Sequence, residues 1–193
     1  MYFETPCVVL AGGKSSRMGQ DKSLLPFGEC PTLTHYQAAR LKPLFESLHV
    51  STKEDKFGGE FALILDKNDG VFSPMVALAS ILENFKDSYV FCLSVDAPFV
   101  EEEQIKALWE VAQKTPNSAI IPRDLQTRHP LCGFYHSSLA PLARQLANEE
   151  NHKLGFLLQK CGATYVDFKD SKPFTNLNHP HEYEESLKNQ SLV

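Results

Sequence analysis

Two glycines and three cations stand together near the start of the chain: Gly12 and Gly13, then Lys14, Arg17 and Lys22. They follow Val8-Val9-Leu10, an apolar run that predicts a buried strand. Glycine has no side chain to obstruct a ligand, and exposed backbone N–H groups form a nest for anions. Lysine and arginine add charge-assisted hydrogen bonds to phosphate oxygens. A strand that breaks into such a loop is built to hold phosphate. Two carboxylates join the candidate set. Asp66 follows Phe61-Ala62-Leu63-Ile64-Leu65, and Asp96 follows Tyr89-Val90-Phe91-Cys92-Leu93-Ser94-Val95, so each stands at the exit of a predicted strand. Mg2+ at a nucleotide site takes one or two carboxylates, with phosphates and water completing its shell. Taken alone, the Asp96-Ala97-Pro98 step is more commonly a capping or turn aspartate, and Asp66 reads as a plain turn residue.

Neither familiar phosphate loop is present. G-x-x-x-x-G-K-[ST] fails because Gly13 and Gly19 are spaced too widely and Gln20 follows Gly19; G-x-G-x-x-G is absent. Leu10-Ala11-Gly12-Gly13-Lys14-Ser15-Ser16-Arg17-Met18-Gly19-Gln20-Asp21-Lys22 instead matches every fixed position of L-A-G-G-x-x-x-R-M-G-x-D-K. In this the chain resembles the MobA-type molybdenum cofactor guanylyltransferases of the small nucleotidyltransferase superfamily. The resemblance implies backbone nucleotide contacts at Leu10, Ala11 and Gly12, with Gly13 and Lys14 in the same cradle. It implies triphosphate contacts at Arg17 and Lys22, a nucleotide contact at Asp66, and Mg2+ on Asp96 through Val95-Asp96-Ala97-Pro98. The implied reaction moves GMP from GTP to molybdopterin and releases pyrophosphate, with Arg17, Lys22 and Asp96 as the catalytic groups. His129-Pro130, Asn176 and Asn178 resemble later family landmarks near the molybdopterin acceptor; read alone, they are a loop histidine and two turn formers. Contacts with cofactor-biosynthesis or acceptor proteins are also implied.

The chain departs from the family pattern twice. Gly-Pro-Leu-x-Gly is replaced by Ser73-Pro74-Met75-Val76-Ala77, and the asparagine after the second strand is replaced by Ser51-Thr52-Lys53. These departures keep two rivals in view: a cytidylyl- or sugar-phosphate nucleotidyltransferase of the same fold, and a non-catalytic nucleotide-binding module.

The elements that must position these residues follow from the hydrophobic pattern. Strands are predicted at Val8–Leu10, Ser47–Ser51, Phe61–Leu65, Tyr89–Val95, Ser118–Pro122, Leu131–Tyr135 and Ala163–Phe168. Helices are predicted from Pro31-Thr32 to Leu41 and from Ser73-Pro74 to Phe85, where Met75, Leu78, Ala79 and Leu82 form one apolar face. Others carry Glu101, Glu102 and Glu103 in a first turn, run through Leu139–Leu146 and Leu154–Leu158, and span Pro180 to Asn189; Lys53-Glu54-Asp55-Lys56 reads as a solvated loop or short helix. Alternating strands and helices predict an α/β fold: a three-layer, mostly parallel, Rossmann-like sheet with helices on both faces, nucleotide-diphospho-sugar transferase-like by resemblance. In such sheets ligands bind beyond the carboxyl ends of the strands, where Gly12, Asp66 and Asp96 all fall. A length of 193 residues suits one domain, with residues 1–100 for the nucleotide and 101–193 for the acceptor.

Composition bounds the partners. A net charge of −5 argues against nucleic acid and against anionic membrane surfaces, so anionic substrates need cations gathered locally. The five cysteines contain no C-x-x-C pair, and Cys7 and Cys92 sit in apolar runs, which predicts buried thiols in a reducing compartment. Met1–Pro6 lacks the basic start and apolar run of a secretory leader, and no apolar stretch approaches membrane-spanning length, so a cytoplasmic location is expected. His179 and His181 are expected to be solvated near a helix start, not metal ligands.

Overall fold

The computed structural model describes residues 1–13, 19–67, 73–125 and 127–190. These form seven strands: β1 (Phe3–Leu10), β2 (Phe45–Thr52), β3 (Leu63–Leu65), β4 (Tyr89–Ser94), β5 (Ala119–Arg123), β6 (Cys132–His136) and β7 (Thr164–Asp167). They make one sheet in the order β3-β2-β1-β4-β6-β5-β7. Six α-helices cover it: α1 (Leu33–Leu41), α2 (Pro74–Leu82), α3 (Glu102–Ala112), α4 (Ala140–Asn148), α5 (Leu154–Lys160) and α6 (Pro180–Gln190).

Alternation along β1 shows why both faces need helices. Val8 and Leu10 pack with α2, α4 and α5 on one face. Cys7 and Val9 pack with α1 and α3 on the other, where Tyr183 and Leu187 of α6 close the layer. Thr32 caps α1 by accepting from the His35 N–H at 3.2 Å, and Ser73 caps α2 by accepting from the Val76 N–H at 3.2 Å. Both starts agree with the sequence reading. The single apolar face expected for α2 understates its burial: every residue from Met75 to Leu82 is buried, because α4 packs on a second side of it. All five cysteines are free thiols, with Cys7, Cys92 and Cys132 buried.

The predicted strand Phe61–Leu65 is shorter than expected. Leu63–Leu65 are in register with β2, and the Ala62 carbonyl accepts from the Val50 N–H at 2.9 Å. Phe61 leaves the sheet and stands edge-on to Phe57 at 5.2 Å, in a small cluster with Ala11 and Val50.

Topology places the site. The chain runs from β1 outward through β2 and β3, then returns to β1's other side as β4. The carboxyl end of Leu10 therefore lies between Ser51 of β2 and Ser94 of β4, with all three strands parallel. This is a switch point, where loops leaving neighbouring strands diverge and open a crevice. β6 is antiparallel to both β4 and β5, and pairs Cys132 with Leu93. The residues that precede β6 consequently reach the edge that the residues after β1 and β4 occupy.

Candidate active site

A cavity of about 300 Å³ opens at the switch point, lined by Leu10, Gly12, Gly13, Ser51, Asp66 and Ser94 among others. Gly12 approaches the third strand closely: a Cβ there would lie 3.5 Å from Asp66 Oδ2. Asp66 leaves β3 with its N–H bonded to the Thr52 carbonyl at 3.0 Å, and its Oδ1 accepts from Ser51 Oγ at 3.3 Å. Burial raises the Asp66 carboxyl above the usual carboxylate range, against the Ser51 hydrogen bond and the positive charges of Lys53 and Arg144. A carboxylate in that condition gains from a ligand that donates hydrogen bonds to it. Ser73 and Ala77 line the same cavity, so the two residues that replace family glycines face the ligand space.

Beside it lies a second cavity of about 450 Å³, lined by Ala97, Thr127, Arg128, His129, Asn176 and Asn178 among others. Ser94 and Leu131 line both cavities, and the Ser94 N–H donates to the Leu131 carbonyl at 2.7 Å. The wall between the chambers is thus a backbone hydrogen bond between β4 and the entrance to β6.

Lys22 and Asp96 meet at this wall. Asp21 caps a short 3-10 turn, Lys22–Leu24, which carries Lys22 inward. Lys22 Nζ donates to Asp96 Oδ2 at 2.7 Å and to Asn178 Oδ1 at 3.0 Å. Asp96 Oδ1 accepts from Ser94 Oγ at 2.6 Å, and the Asp96 carbonyl accepts from the Leu177 N–H at 2.8 Å. The segment around Asn178 is itself tied down by Glu182, which accepts from the Asn178 and His179 N–H groups at 2.6 and 2.8 Å. At the other side of the larger chamber, the His129 ring stacks on Phe174 at 4.7 Å and bonds through Nε2 to Asp124 Oδ2 at 2.9 Å.

Of the residues singled out in the sequence, Leu10, Gly12, Gly13 and Asp66 line the smaller chamber, and Lys22 and Asp96 pair with each other, Asp96 bonded to Ser94 and Lys22 to Asn178. Ala11 turns its side chain into the core, 1% exposed, and its N–H donates to the Ser51 carbonyl at 2.8 Å. Lys14 and Arg17 lie outside the described residues. Gly19 adopts φ +68°, a left-handed conformation that explains a glycine at that position of the loop. His179 and His181 stack on each other at 5.5 Å, and no cluster of three or more His, Cys, Asp or Glu able to hold a metal occurs among the described residues. Among those residues no helix is long and apolar enough to cross a membrane.

Two residues escaped the sequence reading. Lys56, read as solvated, is drawn inward with its side chain 16% exposed and paired with Asp21. Asp124, in what read as a polar loop, is 8% exposed and orients His129. Neither has a local sequence signal, since partnership here depends on the fold.

This sheet order, with a glycine loop after β1 and an aspartate after β4, defines an α/β protein of the nucleotide-diphospho-sugar transferase-like fold. The solved structure of molybdopterin-guanine dinucleotide biosynthesis protein A from Archaeoglobus fulgidus superposes with a TM-score of 0.84 at 21% identity, covering 98% of this chain and 100% of that one. The sequence profile of the MobA-like NTP transferase domain matches residues 7–164, and the chain belongs to that family. A molybdenum cofactor guanylyltransferase of Campylobacter jejuni is 44% identical over 182 residues, 94% of each chain. One from Helicobacter pylori is 30% identical over 184 residues, covering 93% of this chain and 86% of its own.

Proposed function

We propose that this protein transfers GMP from GTP to the terminal phosphate of molybdopterin and releases pyrophosphate. The observation that carries the reading is the pair of adjoining chambers that share the Ser94–Leu131 wall, with the Lys22–Asp96 pair beside it, Asp96 bonded to Ser94 of the wall and Lys22 to Asn178 of the larger chamber. A transfer between two bound molecules needs this: one chamber for the nucleotide, one for the acceptor, and a charged pair where they meet.

GTP occupies the smaller chamber. Its phosphates lie along Gly12 and Gly13 towards Lys22, and Asp66 accepts hydrogen bonds from the nucleoside. Molybdopterin occupies the larger chamber, bounded by His129, Asn176 and Asn178. An acceptor phosphate oxygen attacks the α-phosphorus, a new P–O bond forms, and the bond to the β-phosphate oxygen breaks with its electron pair leaving on pyrophosphate. The nucleophile is already ionised at neutral pH, so no protein base is required. Positioning and charge neutralisation supply the acceleration. Lys22 exchanges part of its contact with Asp96 for phosphate oxygens, and Asn178 keeps its ammonium aimed at the junction. Lys14 and Arg17 contribute further positive charge from the same loop.

The donor set fits Mg2+. Each Asp96 oxygen accepts one hydrogen bond and retains capacity for another contact, and a single hard carboxylate suits an ion that takes its remaining ligands from substrate phosphates and water. Bound through Asp96, the ion would neutralise charge developing on the α-phosphate and the leaving pyrophosphate. Residues 1–100 then serve the nucleotide and 101–193 the acceptor, in a reaction suited to the cytoplasm.

The test offers GTP, CTP or ATP with Mg2+, with and without molybdopterin, and measures pyrophosphate and dinucleotide. Pyrophosphate release that requires both GTP and molybdopterin is expected. Preference for CTP would move the protein to the cytidylyl class. Tight GTP binding without pyrophosphate would make it a silent binding module.

A further inference from the structure

Lys56 has no part in the reaction as described, yet it is held more firmly than a lysine in a surface loop. Its Nζ donates to the Ala11 carbonyl at 2.8 Å and to Asp21 Oδ2 at 2.5 Å. These two acceptors stand at the entry and the exit of the glycine loop. The base from which Lys56 reaches is itself fixed. Phe57 is 6% exposed and packs with Ala11 and Val50, and the Phe57 N–H donates to Asp55 Oδ1 at 2.9 Å. Lys56 Nζ lies 5.6 Å from the Phe57 ring centroid. Holding a lysine this way costs about 2 kcal/mol of rotamer entropy, and charge-assisted hydrogen bonds offset it.

Each contact orients something the nucleotide site needs. The Ala11 residue is held on both sides, its N–H by the Ser51 carbonyl and its C=O by Lys56. The peptide unit is planar and trans, so fixing the Ala11 C=O makes the Gly12 N–H point the opposite way, away from Lys56. Asp21 is held just as fully. Its Oδ1 accepts from the Ser23 N–H at 3.0 Å and Ser23 Oγ at 2.7 Å, while Oδ2 takes Lys56. That cap begins the turn that aims Lys22 at Asp96. Burial pushes the Asp21 carboxyl up, but the hydrogen bonds from Lys56 and Ser23 outweigh it and hold the group below the usual range.

We propose that Lys56 is a positioning residue of the nucleotide site: it ties the two ends of the glycine loop together, setting the Ala11–Gly12 peptide at one end and the Lys22 turn at the other. The inference rests on reading this cleft as the nucleotide site. It adds a role for the β2–β3 connection, which otherwise only links two strands.

Lys56→Met removes the ammonium and keeps the stem; Lys56→Arg restores charge and donors. In the ligand-free full-length protein, amide exchange at Ser23 is expected to accelerate several-fold in Lys56→Met, and to return towards the parent rate in Lys56→Arg. With Mg2+, GTP and molybdopterin, kcat/KM for GTP is expected to fall roughly 10- to 100-fold in Lys56→Met, the scale on which small misplacements act. The fall is expected to be smaller when Asp21→Asn is already present, since part of the coupling runs through Asp21. Unchanged Ser23 exchange and unchanged kcat/KM would overturn the proposal. So would an equal loss in both backgrounds, which would make Lys56 a direct phosphate ligand. If the parent protein leaves GTP untouched, the guanylyltransferase reading falls, while Ser23 exchange still decides whether Lys56 ties the loop.

Discussion

Replacing Lys22 by methionine separates what the Lys22–Asp96 pair does for folding from what it does for chemistry. The two side chains are 12% and 16% exposed and 2.7 Å apart. Breaking a fully buried pair from one side costs about 3–5 kcal/mol, because the remaining charge is stranded. Here Asp96 keeps its Ser94 hydrogen bond at 2.6 Å and some access to water, so about 1–3 kcal/mol is the appropriate scale. For a chain of this length that lowers Tm by about 2–4 °C per kcal/mol. The catalytic effect is larger. One positive charge about 4 Å from a phosphate, at an effective dielectric constant of about 20, contributes about 4 kcal/mol. At about 1.4 kcal/mol per decade, losing it slows turnover roughly 10³-fold.

The double variant Lys22→Met/Asp96→Asn distinguishes the two effects. Removing both charges leaves no stranded group, so stability is expected to recover most of the loss seen in Lys22→Met. Activity is expected to stay at or below the level of the single variant. Urea denaturation reads the first quantity and pyrophosphate release the second. A Lys22→Met protein within tenfold of the parent in kcat/KM would refute the role assigned to Lys22. Strictly additive losses of stability would refute the coupling inferred from the 2.7 Å contact.

Two further outcomes test other parts of the structure. Because burial raises the Asp66 carboxyl, the folded protein holds that proton more tightly than the unfolded chain does, so the associated stability is full below about pH 4 and is lost as pH rises through the folded value. Asp66→Asn is therefore expected to raise Tm at pH 7, to leave it nearly unchanged near pH 3, and to raise KM for GTP; a Tm at pH 7 no higher than the parent's would contradict the buried charge. Gly133→Ala would set a Cβ 2.6 Å from the Ile120 carbonyl oxygen and 2.8 Å from Ile121 Cδ1, so urea denaturation is expected to show a loss of about 1–3 kcal/mol, with no loss opposing the tight β5–β6 approach.

The parts legible in the sequence are those whose chemistry is local. Val8-Val9-Leu10 running into Gly12-Gly13 announces a strand and its exit. Pro31-Thr32 and Ser73-Pro74 announce helix starts, and Ser73 caps as read. Asp66 and Asp96 stand out by their place after apolar runs, but it is the family resemblance that gives them roles beyond turn residues. Phe61 misled because an aromatic next to Ala62-Leu63-Ile64-Leu65 extends the apolar pattern, and only the partner Phe57 shows that it packs outside the sheet. The direction of β6 is invisible to periodicity, since a strand has the same pattern read either way. A signal was nevertheless present: the connection from Arg123 to Cys132 is shorter than the dozen or more residues a parallel crossover needs. Lys56 was illegible in principle. Its partners lie 35 and 45 positions away, and nothing in Lys53-Glu54-Asp55-Lys56 distinguishes it from its solvated neighbours.

On the proposed reading, the reversed strand is what turns a nucleotide site into a two-substrate site. In a wholly parallel sheet, the residues entering a strand lie at the edge opposite those leaving it. Only strand exits then reach the ligand crevice, and the switch point between β2, β1 and β4 supplies those for the nucleotide. Reversing β6 brings the residues that enter it, His129 to Leu131, to the same edge, where Leu131 bonds Ser94. The Asn176–Asn178 segment then closes the larger chamber by bonding the Asp96 carbonyl through Leu177 and Lys22 through Asn178. The wall between the chambers is a backbone hydrogen bond, Ser94 to Leu131, so its position depends on strand order and direction more than on side-chain identity. Side chains at the cavity walls, such as Ser73 and Ala77, are free to differ without moving the place where the two substrates meet. On the proposed reading, the departures from the family pattern at Ser73 and Ala77 fall on recognition of the nucleotide and leave the Lys22–Asp96 pair intact.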